Sequence, residues 1–414
     1  MADCEWRELA KLAVARGIHL QPGQRVCIQS PVEYSSFVHL LAEEAYQQGA
    51  QEVCVRWEEQ TLSRMRSRWA PEDRLATGSP WSAGELTEIA REGGCLITVR
   101  APYQYPEGDI PPARAALAQK TERMITQEAL TLRMSGHCTW TIVLLPTVGW
   151  ARKVYPQCTD EQAMERLTQT LFQCSRVEPG HTLENWREHR AHLEQYANYL
   201  TGRSFRALRY WNQQGTDLTV GLADGHRWCG GGVYKADGLP FIPNIPTEEL
   251  GTAPRRDSAN GTVVTTMPFL FEETLIEGMR LVFRDGVVVE YHADRGEDAL
   301  RRLLETDAGG QSRRLGEVAL VPISSPIAQT HTLFYNTLLD ENASCHLALG
   351  NGYPFCLQGG EALSPEDMDR AGLNTGSLLH VDFMIGSPDL SVDGQNADGS
   401  WSPVFRNGTW AFSL

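Results

Sequence analysis

The sequence has no run of about eighteen apolar residues, the length a helix needs to cross a hydrocarbon core of ~30 Å. No membrane span is therefore expected. It has no Cys-x-x-Cys pair. Its ten cysteines stand singly, which excludes zinc-ribbon and thioredoxin-type sites and fits a reducing cytoplasm. The start, Met-Ala-Asp-Cys-Glu-Trp-Arg-Glu, lacks the basic and apolar regions of a signal peptide. Positive charge is scarce: 37 Lys and Arg face 52 Asp and Glu, for a net charge of −15. That excludes nucleic acid, which is gripped through cationic contacts to phosphate, and an anionic membrane surface. The loop Gln29-Ser-Pro-Val-Glu-Tyr-Ser, after the first strand-like run, has no glycine. A dinucleotide site needs glycines there so that backbone can approach the pyrophosphate. Gly230–Gly232 lacks the lysine and following helix of a phosphate loop and reads as a turn or bulge. Internal repeats and low-complexity tails are absent too.

What remains is a globular balance, 42% hydrophobic and 21% charged over 414 residues, long enough for two domains. Residues 1–200 read as an α/β domain with a mainly parallel sheet and a connecting helix. Strand-like runs at Arg25–Ser30 and Glu52–Trp57 flank a helical Ser35–Gln48 that stops at Gly49, one βαβ unit. Cys95–Val99 and Thr139–Leu145 are further strands, and Pro112–Met134 is helical. Thr159-Asp-Glu-Gln162 has capping-box spacing and opens a helix to Cys174. Pro179-Gly180 and the charged helix Thr182–Tyr199 read as the domain connection, with Trp186 and Tyr196 packing and His181, His189 and His192 on a solvated face. Residues 201–414 read as an α+β domain rich in antiparallel strands. Examples are Asp217–Leu222, Gly261–Thr266 and Met279–Phe283, with a hairpin turn at Asp285-Gly286. Glu297–Glu305 is helical, and Ser364-Pro-Glu-Asp caps another helix.

The chemistry gathers in the last third. His380 and Asp382 sit in the apolar run Ser377–Ile385. Strand alternation points both one way, and Leu379, Val381 and Phe383 the other. An imidazole and a carboxylate on a buried face need partners; a metal ion is one, a plain hydrogen-bonded pair another. Glu317 in Gly316–Val321, His346 at the head of His346–Gly350, and the tandem Glu248-Glu249 also sit at the edges of apolar segments. Cys345 beside His346 invites a thiol-protease reading, but neighbours on a strand face opposite sides.

The strings IPTEELGTAP, LGEVALVP, LFYNTLLDENASCHLALGNGYPF and HVDFMIGSPDLSVDG occur in this order from Ile245 onward. They resemble the M29 family of metallo-aminopeptidases, the aminopeptidase T, aminopeptidase S and PepS group. The resemblance implies an exopeptidase with two divalent ions, zinc or cobalt, acting on peptides with a free N-terminus, and a homodimer. It puts metal ligands at Glu249, Glu317, His346, Tyr353, His380 and Asp382, and a catalytic acid/base at Glu341. Glu248 is the runner-up to Glu249. Tyr353 is either a ligand or an oxyanion stabiliser. Gly251 departs from the family, which more often has a bulky residue there.

Such a mixed oxygen and nitrogen set suits zinc, cobalt or manganese better than a thiolate-seeking metal. Six ligands are natural for two ions ~3.5–4 Å apart with a bridging carboxylate. Two alternatives stay open: another metallohydrolase, such as an amidase or phosphoesterase, and a non-catalytic metal-stabilised binding protein. A phosphoesterase should line its metals with Arg or Lys, and none occurs in Leu378–Gly386 or Glu341–Tyr353.

Overall fold

A computed structural model of the chain describes residues 2–103, 110–272, 274–360 and 363–414. It divides into two compact units, Met1–Trp186 with Gly232–Ile245, and Arg187–Gly231 with Pro246–Leu414.

The first unit is built on β1 (Arg25–Pro31), β2 (Glu52–Glu58), β3 (Cys95–Arg100) and β4 (Thr139–Leu144). β1 pairs in parallel with β2 and β3, and β3 with β4. Val26, Ile28, Ile97, Val99 and Val143 fill its core with Val38 and Leu41 of α1 (Ser35–Gln47). Parallel strands buried on both faces read as continuous apolar runs, which is why β3 stands out in the sequence. After α1 the chain reverses at Gly49, whose φ of 95° lies where side chains are strained. α2 (Pro112–Met134) and α3 (Asp160–Cys174) follow, and Thr159 and Gln162 form the reciprocal capping box at the start of α3. A fifth parallel strand, Asn244–Ile245, joins the free side of β4. Two residues between Pro243 and Pro246 carry no periodicity, so sequence pattern missed it.

The unit boundary at 186/187 lies within α4 (Thr182–Arg203), whereas the pattern reading cut the chain after 200. One continuous helix serves both units. Trp186 is buried in the first core and donates its indole N–H to Ser175 O at 2.6 Å. Leu193, Ala197 and Leu200 belong to the second core, and Tyr196 packs on Trp410 and Phe412. His189 corrects the solvated-face reading: its side chain is 7% exposed, and its Nε2 lies 2.8 Å from Thr247 O. His181 and His192 are exposed.

The second unit holds an eight-stranded antiparallel sheet running from Val287–His292 to Thr409–Trp410. Its hairpin at Asp285-Gly286 has φ of 47° and 79°, the two positive values of a type I′ turn. A second antiparallel sheet comprises β5 (Leu250–Thr252), β6 (Leu315–Leu320), β7 (His346–Gly350) and β8 (His380–Met384), in the order β8, β7, β6, β5, with Cys229–Gly230 at the far edge.

Candidate metal centre

The register of this second sheet assembles the candidate ligands. Ala348 of β7 stands opposite both Glu317 of β6 and Asp382 of β8. His346 is opposite Ala319, and Gly350 opposite His380. Residues directly opposite share a face, so Glu317, His346, His380 and Asp382 project from one side over a floor of alanine and glycine. Val318, Leu320, Leu347, Leu349 and Phe383 enter the core on the other side. On β5, Gly251 is opposite Ala319. Alternation continued back from there puts Glu249 on the ligand face and Glu248 on the other.

Strict alternation would put Leu315 on the ligand face with Glu317. Instead the register slips between them, Leu315 pairing with Leu349 and Glu317 with Ala348. This bulge at Gly316 sends Leu315 into the core and leaves Glu317 facing the site. Such bulges commonly re-aim a side chain. A Cβ at 316 would collide with the carbonyls of Gly350 and Asn351. Gly251 likewise touches the site: a Cβ there would meet Glu317 Oε1.

His346 Nε2 lies 3.1 Å from Glu249 Oε2. His380 Nε2 lies 3.1 Å from Glu317 Oε2 and 3.3 Å from Asp382 Oδ1. Both rings use Nδ1 on a backbone carbonyl, His346 on Ser344 at 3.0 Å and His380 on Asn351 at 2.6 Å. A carbonyl only accepts, so Nδ1 carries the proton and Nε2 is presented to the cluster, the arrangement usual for metal-binding histidine. Two ligand groups result, Glu249–Glu317–His346 and Glu317–His380–Asp382, the donor atoms within each lying within 4.8 Å of one another. Glu317 belongs to both. Tyr353, in the turn after β7, stacks on Phe355 and lays its ring 4.5 Å from that of His380.

Glu341 ends the short helix α5 (Thr337–Glu341). Just before it, the Asp340 carboxylate accepts from the N–H groups of Phe334 and Asn336 at 2.8 and 2.9 Å, fixing the entry to α5. Glu248 is buried and outside both groups; its backbone N–H donates to Asn342 Oδ1 at 2.7 Å, and its carboxylate lies 3.8 Å from His189 Nε2. Sequence reasoning missed Asn342 and His189, because nothing in their local pattern shows what they meet.

Burial, then the Asp382 and Glu249 carboxylates, pushes the Glu341 carboxyl well above the usual range. Against its burial, Asp382 is held low by the two imidazoles and by Glu341. Burial works to lower His346, but the hydrogen bond to Glu249 and the surrounding carboxylates outweigh it and lift the imidazole to about 10. His380 is raised for the same reason, by Asp382 and Glu317 against burial. Burial and the neighbouring carboxylates raise the Tyr353 phenol. The site thus concentrates negative charge and draws protons to balance it, a demand that divalent cations satisfy.

The donors fit such an ion. Asp382 Oδ1 is buried without a hydrogen bond, its 3.3 Å approach to His380 lacking hydrogen-bond geometry. An orphaned buried carboxylate oxygen is costly, and a cation would relieve it. All the donors are hard oxygens or imidazoles. Glu249, Glu317 and Asp382 pair with histidine, not with the Arg or Lys expected of a phosphate site. Cys345 faces the opposite side, its thiol donating to Val321 O at 3.3 Å and pushed up to about 12 by burial. That removes Cys345 and His346 as a thiol–imidazole pair.

A family profile described as Thermophilic metalloprotease (M29) matches residues 3–410. Aminopeptidase 2 of Geobacillus stearothermophilus is 40% identical over 99% of this chain and 98% of its own. Aminopeptidase AmpS of Bacillus subtilis is 39% identical over 97% of each chain. The solved structure titled wild-type AmpT from Thermus thermophilus superposes with a TM-score of 0.91 at 39% identity, covering 100% of both chains.

Proposed function

Since the chain belongs to the M29 family of metallopeptidases, we propose that it removes single residues from the free N-termini of peptides. Its centre would be dinuclear, held by Glu249, Glu317, His346, His380 and Asp382, with Tyr353 as a further ligand or oxyanion stabiliser. That it is a metal-dependent aminopeptidase follows from its relatives. The observation that carries the dinuclear reading is Glu317, shared by two ligand groups that each contain one histidine. Charge supports it as well. Glu249, Glu317 and Asp382 face two imidazoles, with the Glu341 carboxyl beside them, a concentration of acidic groups that divalent ions would balance. Zinc or cobalt suits the donors.

When bound, the ions supply Lewis acidity and lower the pKa of water. The chain's own residues do the rest. His346 and His380, locked through Nδ1, keep their Nε2 atoms aimed. Glu317 holds the two halves of the site together. Glu341 takes the proton of the attacking water and returns it to the leaving amine, its raised affinity for protons suiting that shuttle. We also read the protein as a cytoplasmic homodimer. The ten cysteines, which stand singly along the sequence with no Cys-x-x-Cys pair, support the compartment, and the family resemblance supports the dimer. No helix among the described residues is long and apolar enough to cross a membrane.

Hydrolysis of an amino-acid p-nitroanilide beside its N-acetylated form, by chelated and metal-restored protein, tests this reading. Only the free amine should be cleaved, and only after metal is restored. Equal cleavage of the acetylated compound would favour an amidase.

A further inference from the structure

Asn342 is fully buried immediately after α5, and its amide joins two parts of the site. Its Oδ1 accepts from the backbone N–H of Glu248 at 2.7 Å. Its Nδ2 donates to Leu338 O at 2.8 Å and to Glu341 Oε1 at 3.3 Å. The amide orientation is forced, since the Glu248 N–H can only donate and the Leu338 carbonyl can only accept. One face of the side chain therefore holds the segment that delivers Glu249. The other closes the last turn of α5 and touches the carboxylate of Glu341. A glutamate has three side-chain torsions to fix, and a general base misplaced by about 1 Å costs roughly 10²-fold.

We propose that Asn342 is the positioning residue for Glu341, holding its carboxylate in register with the Glu249 segment; this rests on Glu341 being the acid/base. The backbone N–H of Glu248 needs only an acceptor, which many side chains supply. The contact to Glu341 needs a donor on the same group. Asparagine offers both at this reach, whereas aspartate offers the acceptor and, when ionised, no donor. Asn342→Asp therefore keeps the contact to the Glu248 N–H and loses the two that Nδ2 makes, to Leu338 O and to Glu341, in a side chain of nearly the same shape; the Glu341→Gln background tells the second loss from the first.

The test is a double-substitution cycle on the full-length, cobalt-loaded protein, reading kcat, KM and bound cobalt with leucine p-nitroanilide. Asn342→Asp should lower kcat roughly 10- to 100-fold, with KM changed less than about 2-fold and cobalt content equal to that of the parent. In a Glu341→Gln background the same change should cost less than about 2-fold, since a residue acting through Glu341 has nothing left to position. Equal losses in both backgrounds, a loss of cobalt, or an unchanged kcat in the single variant would overturn the proposal. If Asn342→Asp does not fold, Asn342→Ala takes its place and is scored on the difference in kcat loss between the two backgrounds alone, because it also frees the Glu248 N–H: a smaller loss in the Glu341→Gln background supports the proposal and equal losses overturn it. A fully active Glu341→Gln protein would instead remove the acid/base reading, and it is scored without touching Asn342.

Discussion

The two five-stranded sheets bury different kinds of polar group. In the first unit, the buried polar residues among those described are all serine or threonine, such as Ser30, Thr98, Thr139 and Thr141. A hydroxyl can satisfy itself locally, as Thr87 and Thr121 do on the helical carbonyls of Ala83 and Leu117. The buried carboxylates and imidazoles, Glu248, Glu317, Asp382, His346 and others, lie in the second unit. Such groups need partners from elsewhere in the chain. The same strand-forming physics therefore gives a structural sheet in one unit and a chemical one in the other.

The second unit also separates two uses of a buried acid. Asp340 accepts backbone N–H groups, and Asp307 accepts the Leu378 N–H at 2.9 Å. Both are turn-fixing residues. Glu249, Glu317 and Asp382 instead face imidazoles. Partner type, together with the strand face, separates the proposed ligands from these turn-fixing acids, since Glu248 also approaches an imidazole, that of His189, from outside both groups.

The largest expected effect comes from Glu317→Ala, which removes the shared carboxylate. Activity should fall by more than about 100-fold and bound metal should drop, while circular dichroism stays native. Retained metal and activity would erase the distinction between the sheets. Next is Glu341→Gln, which should lower kcat by about 10²–10⁴ with KM and metal content near wild type. Metal loss in that variant would make Glu341 a ligand. Two smaller effects probe stability alone. Gly286→Ala imposes a side chain at φ 79° and against the Arg256 backbone; urea unfolding should show a loss of at least about 1–2 kcal/mol. Thr159→Ala removes half a capping box and should cost about 1 kcal/mol. Both purified variants should keep wild-type kcat below their unfolding transitions.

Much of this contrast is legible from residues a few positions apart. Alternation alone puts His380 and Asp382 on one face, and the capping box and the Asp285-Gly286 turn are local signals that the structure bears out. What escapes sequence pattern is whatever depends on a distant partner. The bulge at Gly316 exists because β6 must meet β7 with Leu315 in the core. His189 is buried because Thr247 supplies a carbonyl 58 residues away. The amide of Asn342 meets Glu248 across 94 residues. Placing Glu249 rather than Glu248 on the face of Glu317 needs the β5–β6 register.

The most direct test of the shared-carboxylate centre is metal stoichiometry. Chelated protein would be dialysed to equilibrium against cobalt and the bound metal counted per chain, with activity followed in parallel. The account predicts two ions per chain in the parent and one in His346→Ala, whose second ligand group, Glu317–His380–Asp382, is intact. A parent chain that is fully active with a single bound ion would contradict it.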